Sequence, residues 1–269
     1  MSNRRPRKNP WPRRLLTIYC CAVFFFLMLP ILVVFPLSFS SASYLQFPPP
    51  GFSWQWYERY LETPAWIDVT IVSIKVAVGT TILATLLGTM AAFSLVRGKY
   101  PGRNWVDRLV AAPIIVPNII IAVAIYGLFA KMHLIGNWFG VMVGHTVYAI
   151  PFVVLVVGAA LRTFDTAQEQ AAMGLGASRL KAVWRVTLPQ IKPAIVSGAF
   201  LAFITSFDEL IIGLFLSGSN MTLPKKMFEN IISEIDPTIS AVSVLQIILV
   251  GIVLLASSRL GSGISPIKS

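Results

Sequence analysis

Charge is what this chain has least of. Only 12% of its 269 residues are Asp, Glu, Lys or Arg, against roughly a quarter in soluble domains. With 56% hydrophobic residues, its main solvent is lipid. Cysteine is nearly missing. The two present, Cys20 and Cys21, are adjacent inside an apolar run, a spacing that suits neither a disulfide nor a metal site. His133 and His145 are the only histidines. They flank a turn with no Cys or carboxylate at ligand spacing, so no metal centre is expected. The phosphate-cradling run G-x-x-x-x-G-K-S/T is missing too. Gly140 and Gly144 with His145 and Thr146 imitate it faintly, but the lysine is lacking and the segment lies within an apolar span. No G-x-S-x-G elbow is present. The sequence therefore offers no catalytic residue, no cofactor held by this chain and no energy source of its own.

What it does have is long apolar runs. A hydrocarbon core about 30 Å thick needs about 20 apolar residues in a helix. Six segments meet this or nearly so: 15–39, 66–96, 109–130, 138–161, 191–216 and 239–257. The expected fold is an all-α membrane protein with six transmembrane helices. The net charge of +11 gathers at the ends of these runs and forms no continuous stripe, which argues against nucleic acid as a partner. Arg and Lys fall heavily on one side: residues 4–14, the loop with Arg97, Lys99, Arg103 and Arg108, the loop with Arg162, Arg179, Lys181, Arg185 and Lys192, and the tail. The other side holds only Arg59, Lys131, Lys225 and Lys226. Both termini are thus placed in the cytoplasm. The first run, about 25 residues, exceeds the 7–15 of a signal-peptide core, so it is expected to remain as an anchor.

The outer loop 40–65 carries three consecutive prolines, Pro48 to Pro50, which bias it toward extended structure. A short helix capped by Ser53 is expected to follow, its aromatics at the membrane interface. Residues 223–237 read as a second amphipathic helix on the outer face. Lys75, Asp208 and Glu209 are the ionisable residues farthest inside the spans. Each costs about 2.5–3.5 kcal/mol at a bilayer centre on insertion scales, which marks all three as candidates for the substrate pathway. Lys75 and Asp208 come out at similar depth, so one carboxylate is expected to pair with Lys75 while the other faces the pathway.

The most informative stretch is the basic loop 165–193. Residues 166–173, including Glu169, Gln170, Ala171 and Ala172, favour helix. Gly174 and Gly176 break it. A second short helix is expected over 177–186, from Ala177 with Ser178 as N-cap, placing Leu180, Val183 and Trp184 on one face. Leu188 and Pro189 are expected to stop it and redirect the chain into the fifth span.

This loop resembles the E-A-A loop of type I ABC importer permeases: E-A-A, three residues, G, nine residues, an aliphatic residue, one residue, L-P. Ala171, Ala172, Gly176, Val186, Leu188 and Pro189 fall on that pattern. The leading position is Gln170 rather than Glu, with Glu169 beside it. The segments from His145 to Asp165, Ser206 to Glu209, Thr222 to Pro224 and Asp236 to Ala241 are similar to spermidine/putrescine-type members.

The resemblance implies a MetI-like permease fold in a bacterial inner membrane. Its domains would be a basic amino terminus 1–14, an anchor 15–39, a periplasmic loop 40–65, a core 66–257 holding the coupling loop 162–190, and a cytoplasmic tail 258–269. It implies half of a pore for polyamines or a related organic cation, completed by a second homologous permease subunit. Two ATP-binding subunits would hold the ATP and magnesium, and a periplasmic solute-binding protein would deliver cargo. Glu169, Gln170, Ala171, Ala172, Gly176, Ala177, Ser178, Leu180, Val183, Trp184, Leu188 and Pro189 would form the ATPase-coupling surface. A bulky residue at Gly176 or a charge at Leu180 is then expected to abolish ATPase assembly.

Three alternatives remain at this point. One is the same importer class serving an amino-acid derivative, opine or metal complex. An ion-coupled secondary transporter is disfavoured by the lack of an internal repeat, and a membrane enzyme by the lack of a reactive constellation.

Overall fold

Hydrocarbon offers no partner to a backbone N–H or C=O, so a chain this apolar must satisfy its backbone internally, as helix. The computed structural model describes residues 11–233 and 236–261. Every regular element among them is helical, apart from one isolated bridge between Ser40 and Phe52. The expected cytoplasmic amino terminus and tail lie largely outside the described residues.

The chain divides into two compact units. The first comprises residues 1–62 and 234–246. Helix α1 (Trp11–Ser38) is exposed from Leu15 through Leu32, Cys20 and Cys21 included. The loop after it is extended, as its prolines require, and folds back on itself: Ser41 N–H donates to Gly51 O at 3.0 Å and Ser53 N–H to Phe39 O at 2.7 Å. Helix α2 (Gln55–Glu62) starts where expected, with Gln55 N–H donating to Ser53 Oγ. Its buried Trp56 donates from Nε1 to Ser40 O at 2.7 Å. Arg59 lies over the Trp56 ring and 3.9 Å from Asp236. Asp236 in turn caps α12 (Thr238–Gly261) by accepting from Thr238 N–H.

The second unit, residues 63–233 and 247–269, is built on three mutually packed helices: α3 (Pro64–Arg97), α6 (Trp138–Thr163) and α9 (Leu188–Phe207). Small residues let them approach. Ala84, Ala92, Ala149 and Ala202 are fully buried with Val153 and Val157. A Cβ on Gly88 would lie 2.7 Å from Val153 Cβ. A second cluster joins α3 and α6 to α5 (Asn118–Lys131) and α10 (Ile211–Leu216) through Val76, Ala122, Met142, Ile212 and Leu216. Of the amphipathic helix expected over 223–237, α11 (Leu223–Ser233) forms and is tied to α3 by Leu223 N–H donating to Ser73 Oγ at 2.6 Å.

Three expectations are corrected. The third span is not one helix: α4 (Arg103–Ile115) and α5 meet at a 110° bend. Pro117 is responsible, because it forces Val116 into the extended region (ψ 132) and supplies no N–H. The fifth span is also interrupted, at Asp208–Leu210 between α9 and α10. Nor do Leu188 and Pro189 end a helix. Helix α8 (Arg179–Ala182) runs through a π turn at Val183–Thr187 into α9, giving one helical segment over Arg179–Phe207. A proline removes the bond to the carbonyl four residues back and clashes with it. The π turn widens the helix one residue before Pro189, with Leu188 N–H reaching Val183 O, and so accommodates the ring. Among the described residues five helices are thus long and apolar enough to span a membrane, and six when the bent pair counts as one span.

Candidate functional site: the basic loop and a recess at the broken helix

The loop is built from local signals. Asp165 Oδ1 accepts Ala167 N–H at 2.9 Å and starts α7 (Ala167–Gly174). Its end follows the Schellman pattern: Ala177 N–H donates to Ala172 O at 3.1 Å and Gly176 N–H to Met173 O at 2.9 Å. Gly176 takes the left-handed conformation this requires, at φ +90°. No atom lies within 4 Å of where its Cβ would be, so glycine is needed for the backbone and not for space. Ser178 Oγ then accepts Lys181 N–H and caps α8.

Glu169 turns inward and is buried. It accepts from Arg97 Nη1, at the last residue of α3, and from Thr187 Oγ1 in the π turn. The Arg97 guanidinium lies over the rings of Phe93 and Phe164, 5.3 and 5.4 Å from their centres. Burial disfavours the Glu169 carboxylate, but the Thr187 and Arg97 hydrogen bonds and the Arg97 and Arg179 charges outweigh it and hold its pKa below the usual range. A neighbouring bond from Gln190 to Gln168 at 2.5 Å fastens the same base. The buried polar contacts at this end of α7 are thus made by Glu169, one residue before the leading position of the pattern. Gln170 itself is exposed.

At the other end the loop presents apolar side chains to solvent. Of the three residues placed on one face, Leu180 is 68% and Trp184 65% exposed, while Val183 is half-buried. Leu175, at 91%, and Met173 join them. Sequence pattern missed these two because they sit in and beside the glycine turn, outside any helical periodicity. It also missed Arg97 and Thr187, distant partners that no local spacing announces. Ala171, Ser178 and Pro189 are exposed, and Ala172, Ala177 and Leu188 half-buried.

The intramembrane residues are arranged differently from the sequence expectation. Lys75 is exposed on α3 and makes no ion pair among the described residues. The depth argument assumed an unbroken fifth helix, and the break after Phe207 removes it. Glu209 is buried and caps α10, accepting Ile212 N–H at 2.7 Å and Gly213 N–H at 3.3 Å, with His145 Nε2 3.7 Å away. His145 Nδ1 is 3.0 Å from Ser206 Oγ. Asp208 is exposed and lines a recess of about 430 Å³ with Asn118, Tyr148, Phe152 and Thr205. Tyr148 and Phe152 meet edge to face there.

Residues 84–262 match the model of the family described as "Binding-protein-dependent transport system inner membrane component". The chain is 34% identical over 261 residues to the putrescine transport system permease protein PotI of Escherichia coli K12, covering 94% of this chain and 91% of that protein. It is 30% identical over 229 residues to the spermidine/putrescine permease protein PotC of Haemophilus influenzae, covering 84% and 88%. A crystal structure of a bacterial ABC transporter that imports the acidic polysaccharide alginate superposes with a TM-score of 0.72 at 19% identity, covering 95% of this chain and 99% of that one. The chain is a permease of the inner membrane and belongs to the family of binding-protein-dependent transport system inner membrane components.

Proposed function

We propose that this chain forms half of the translocation pathway of an ATP-driven importer of putrescine, spermidine or a related small organic cation. A second, homologous permease subunit completes the pathway. Two cytoplasmic ATP-binding subunits, where ATP and magnesium are held, grip the exposed tip at Leu175, Leu180 and Trp184. A periplasmic binding protein delivers the solute. Polyamine transport by PotI and PotC, as their names state, supports this substrate class.

The observation that carries the reading is the recess at the α9–α10 break. It offers one exposed carboxylate, Asp208, beside two aromatic rings and the Asn118 amide. An ammonium group finds a counter-charge in the first, a cation–π face in the second and an acceptor in the third. Movement of the tip by the ATPases opens this recess to one side of the membrane or the other. The test is uptake of labelled putrescine into proteoliposomes holding the co-purified complex. ATP-dependent uptake is expected, with Asp208→Asn raising the half-saturating concentration about tenfold, which is 1.4 kcal/mol. Uptake driven by an ion gradient without ATP would remove the importer reading, and an unchanged affinity in Asp208→Asn would remove the assignment of the recess.

A further inference from the structure

The cytoplasmic loop has two parts with opposite character. Its tip is apolar and exposed. Its base is polar and buried, and there a single carboxylate oxygen, Glu169 Oε1, receives donors from two other elements: Arg97 from α3 and Thr187 from the π turn that leads into α9. Four pieces of chain meet at this point, since the ring of Phe164, from the connector between α6 and α7, lies 5.4 Å from the Arg97 guanidinium carbon.

We propose that Glu169 is a positioning residue, the joint through which displacement of the loop enters α3 and α9, and not itself a contact to the ATPase. The inference rests on the ATPase docking proposed above.

Three observations carry it. First, Glu169 faces the protein and not the tip, so a docked partner does not reach it. Second, parting one member of a buried ion pair leaves an uncompensated charge. The stack of Arg97 on two rings adds to that penalty, so the tip cannot shift while the base stays behind. Third, Thr187 sits where the helical ladder is already loosened by the π turn. From there α9 runs 20 residues without a break to Phe207, about 30 Å at 1.5 Å per residue. The next residue is Asp208. A push at Thr187 is thus delivered along one continuous helix, which holds Pro193 within it, to the edge of the recess.

The test uses the full complex in proteoliposomes and compares Glu169→Gln, Thr187→Val and Leu180→Asp. Three quantities are read: ATPase co-purified per permease, ATP hydrolysed and putrescine taken up. Glu169→Gln and Thr187→Val are expected to retain the ATPase and hydrolyse ATP, while uptake per ATP falls about tenfold, within the usual range of coupling between sites. Leu180→Asp is expected to lose the ATPase altogether. Wild-type uptake per ATP in Glu169→Gln would overturn the joint. Loss of the ATPase from Glu169→Gln, with Thr187→Val transporting normally, would also overturn it by making Glu169 a docking contact. If Glu169→Gln fails to insert, Thr187→Val, which removes one hydrogen bond, decides alone. Should Leu180→Asp keep its ATPase while Glu169→Gln uncouples, the docking tip fails and the joint stands.

Discussion

Two neighbouring carboxylates, Asp208 and Glu209, both border the recess, but Asp208 is exposed and Glu209 is buried. Glu209 supplies an oxygen to two N–H groups at the start of α10. Removing it strands buried donors, so Glu209→Ala is expected to destabilise by about 1–3 kcal/mol. Thermal unfolding in detergent measures this. Glu209→Gln keeps an acceptor oxygen in the same place and should retain most of that stability and the wild-type affinity for putrescine. An affinity loss in Glu209→Gln as large as in Asp208→Asn would show that both carboxylates meet the solute. Glu169 makes a further residue-scale prediction, in pH. Its pKa is depressed in the folded state, so the stability it contributes is present above the ordinary carboxylate range and lost as pH falls through the lowered value. The stability gap between wild type and Glu169→Gln should therefore be flat from about pH 6 to pH 8 and close only below about pH 4.

At the scale of elements, the loop depends on two backbone devices. Gly176 is left-handed in open space, so Gly176→Ala and Gly176→Leu should cost a similar, purely conformational, ~1–2 kcal/mol. The yield of co-purified ATPase should fall alike in both, and a loss confined to the larger side chain would mean that a partner packs there. Pro189 sets the π turn. Pro189→Ala restores an N–H, lets the turn relax to α-helix and rotates Thr187 away from Glu169 by up to about 100°. It should uncouple transport from hydrolysis as Thr187→Val does, which the same uptake-per-ATP assay reads. Some of this was legible beforehand. Helix starts at Gln55 and Arg179 follow from Ser53 and Ser178, and the end of α7 from its two glycines. The continuation past Pro189 was not. A proline is read as a stop, and only the widened turn and the packing of α9 show how the chain passes it.

Across the second unit, helix approach is set by residues without bulk. Gly88 is the tightest case, its missing Cβ standing 2.7 Å from the stiff Val153. Gly88→Ala is expected to force α3 from α6 and destabilise by about 1–3 kcal/mol. A melting temperature equal to wild type would show that this pair separates freely. Helices α3 and α6 are therefore packed too closely at this point to admit a methyl group, and the chain departs from straight helices at the α4–α5 bend, at the α9–α10 break and in the loop.

By itself the sequence determined the helical class, the lipid solvent and the family, and it led to an expected orientation and a candidate coupling loop. Each follows from composition, the length of apolar runs, the distribution of Arg and Lys, or glycine and proline at fixed spacing, which are local and additive properties. It could not decide which charges meet. Glu169 finds Arg97 72 residues away, and Glu209 lies against His145 while Lys75 remains without an ion pair among the described residues. Those choices depend on how α3, α6 and α9 pack and on where the fifth span breaks. An ion pair is a matter of ångströms between distant segments, and only the tertiary structure sets such distances.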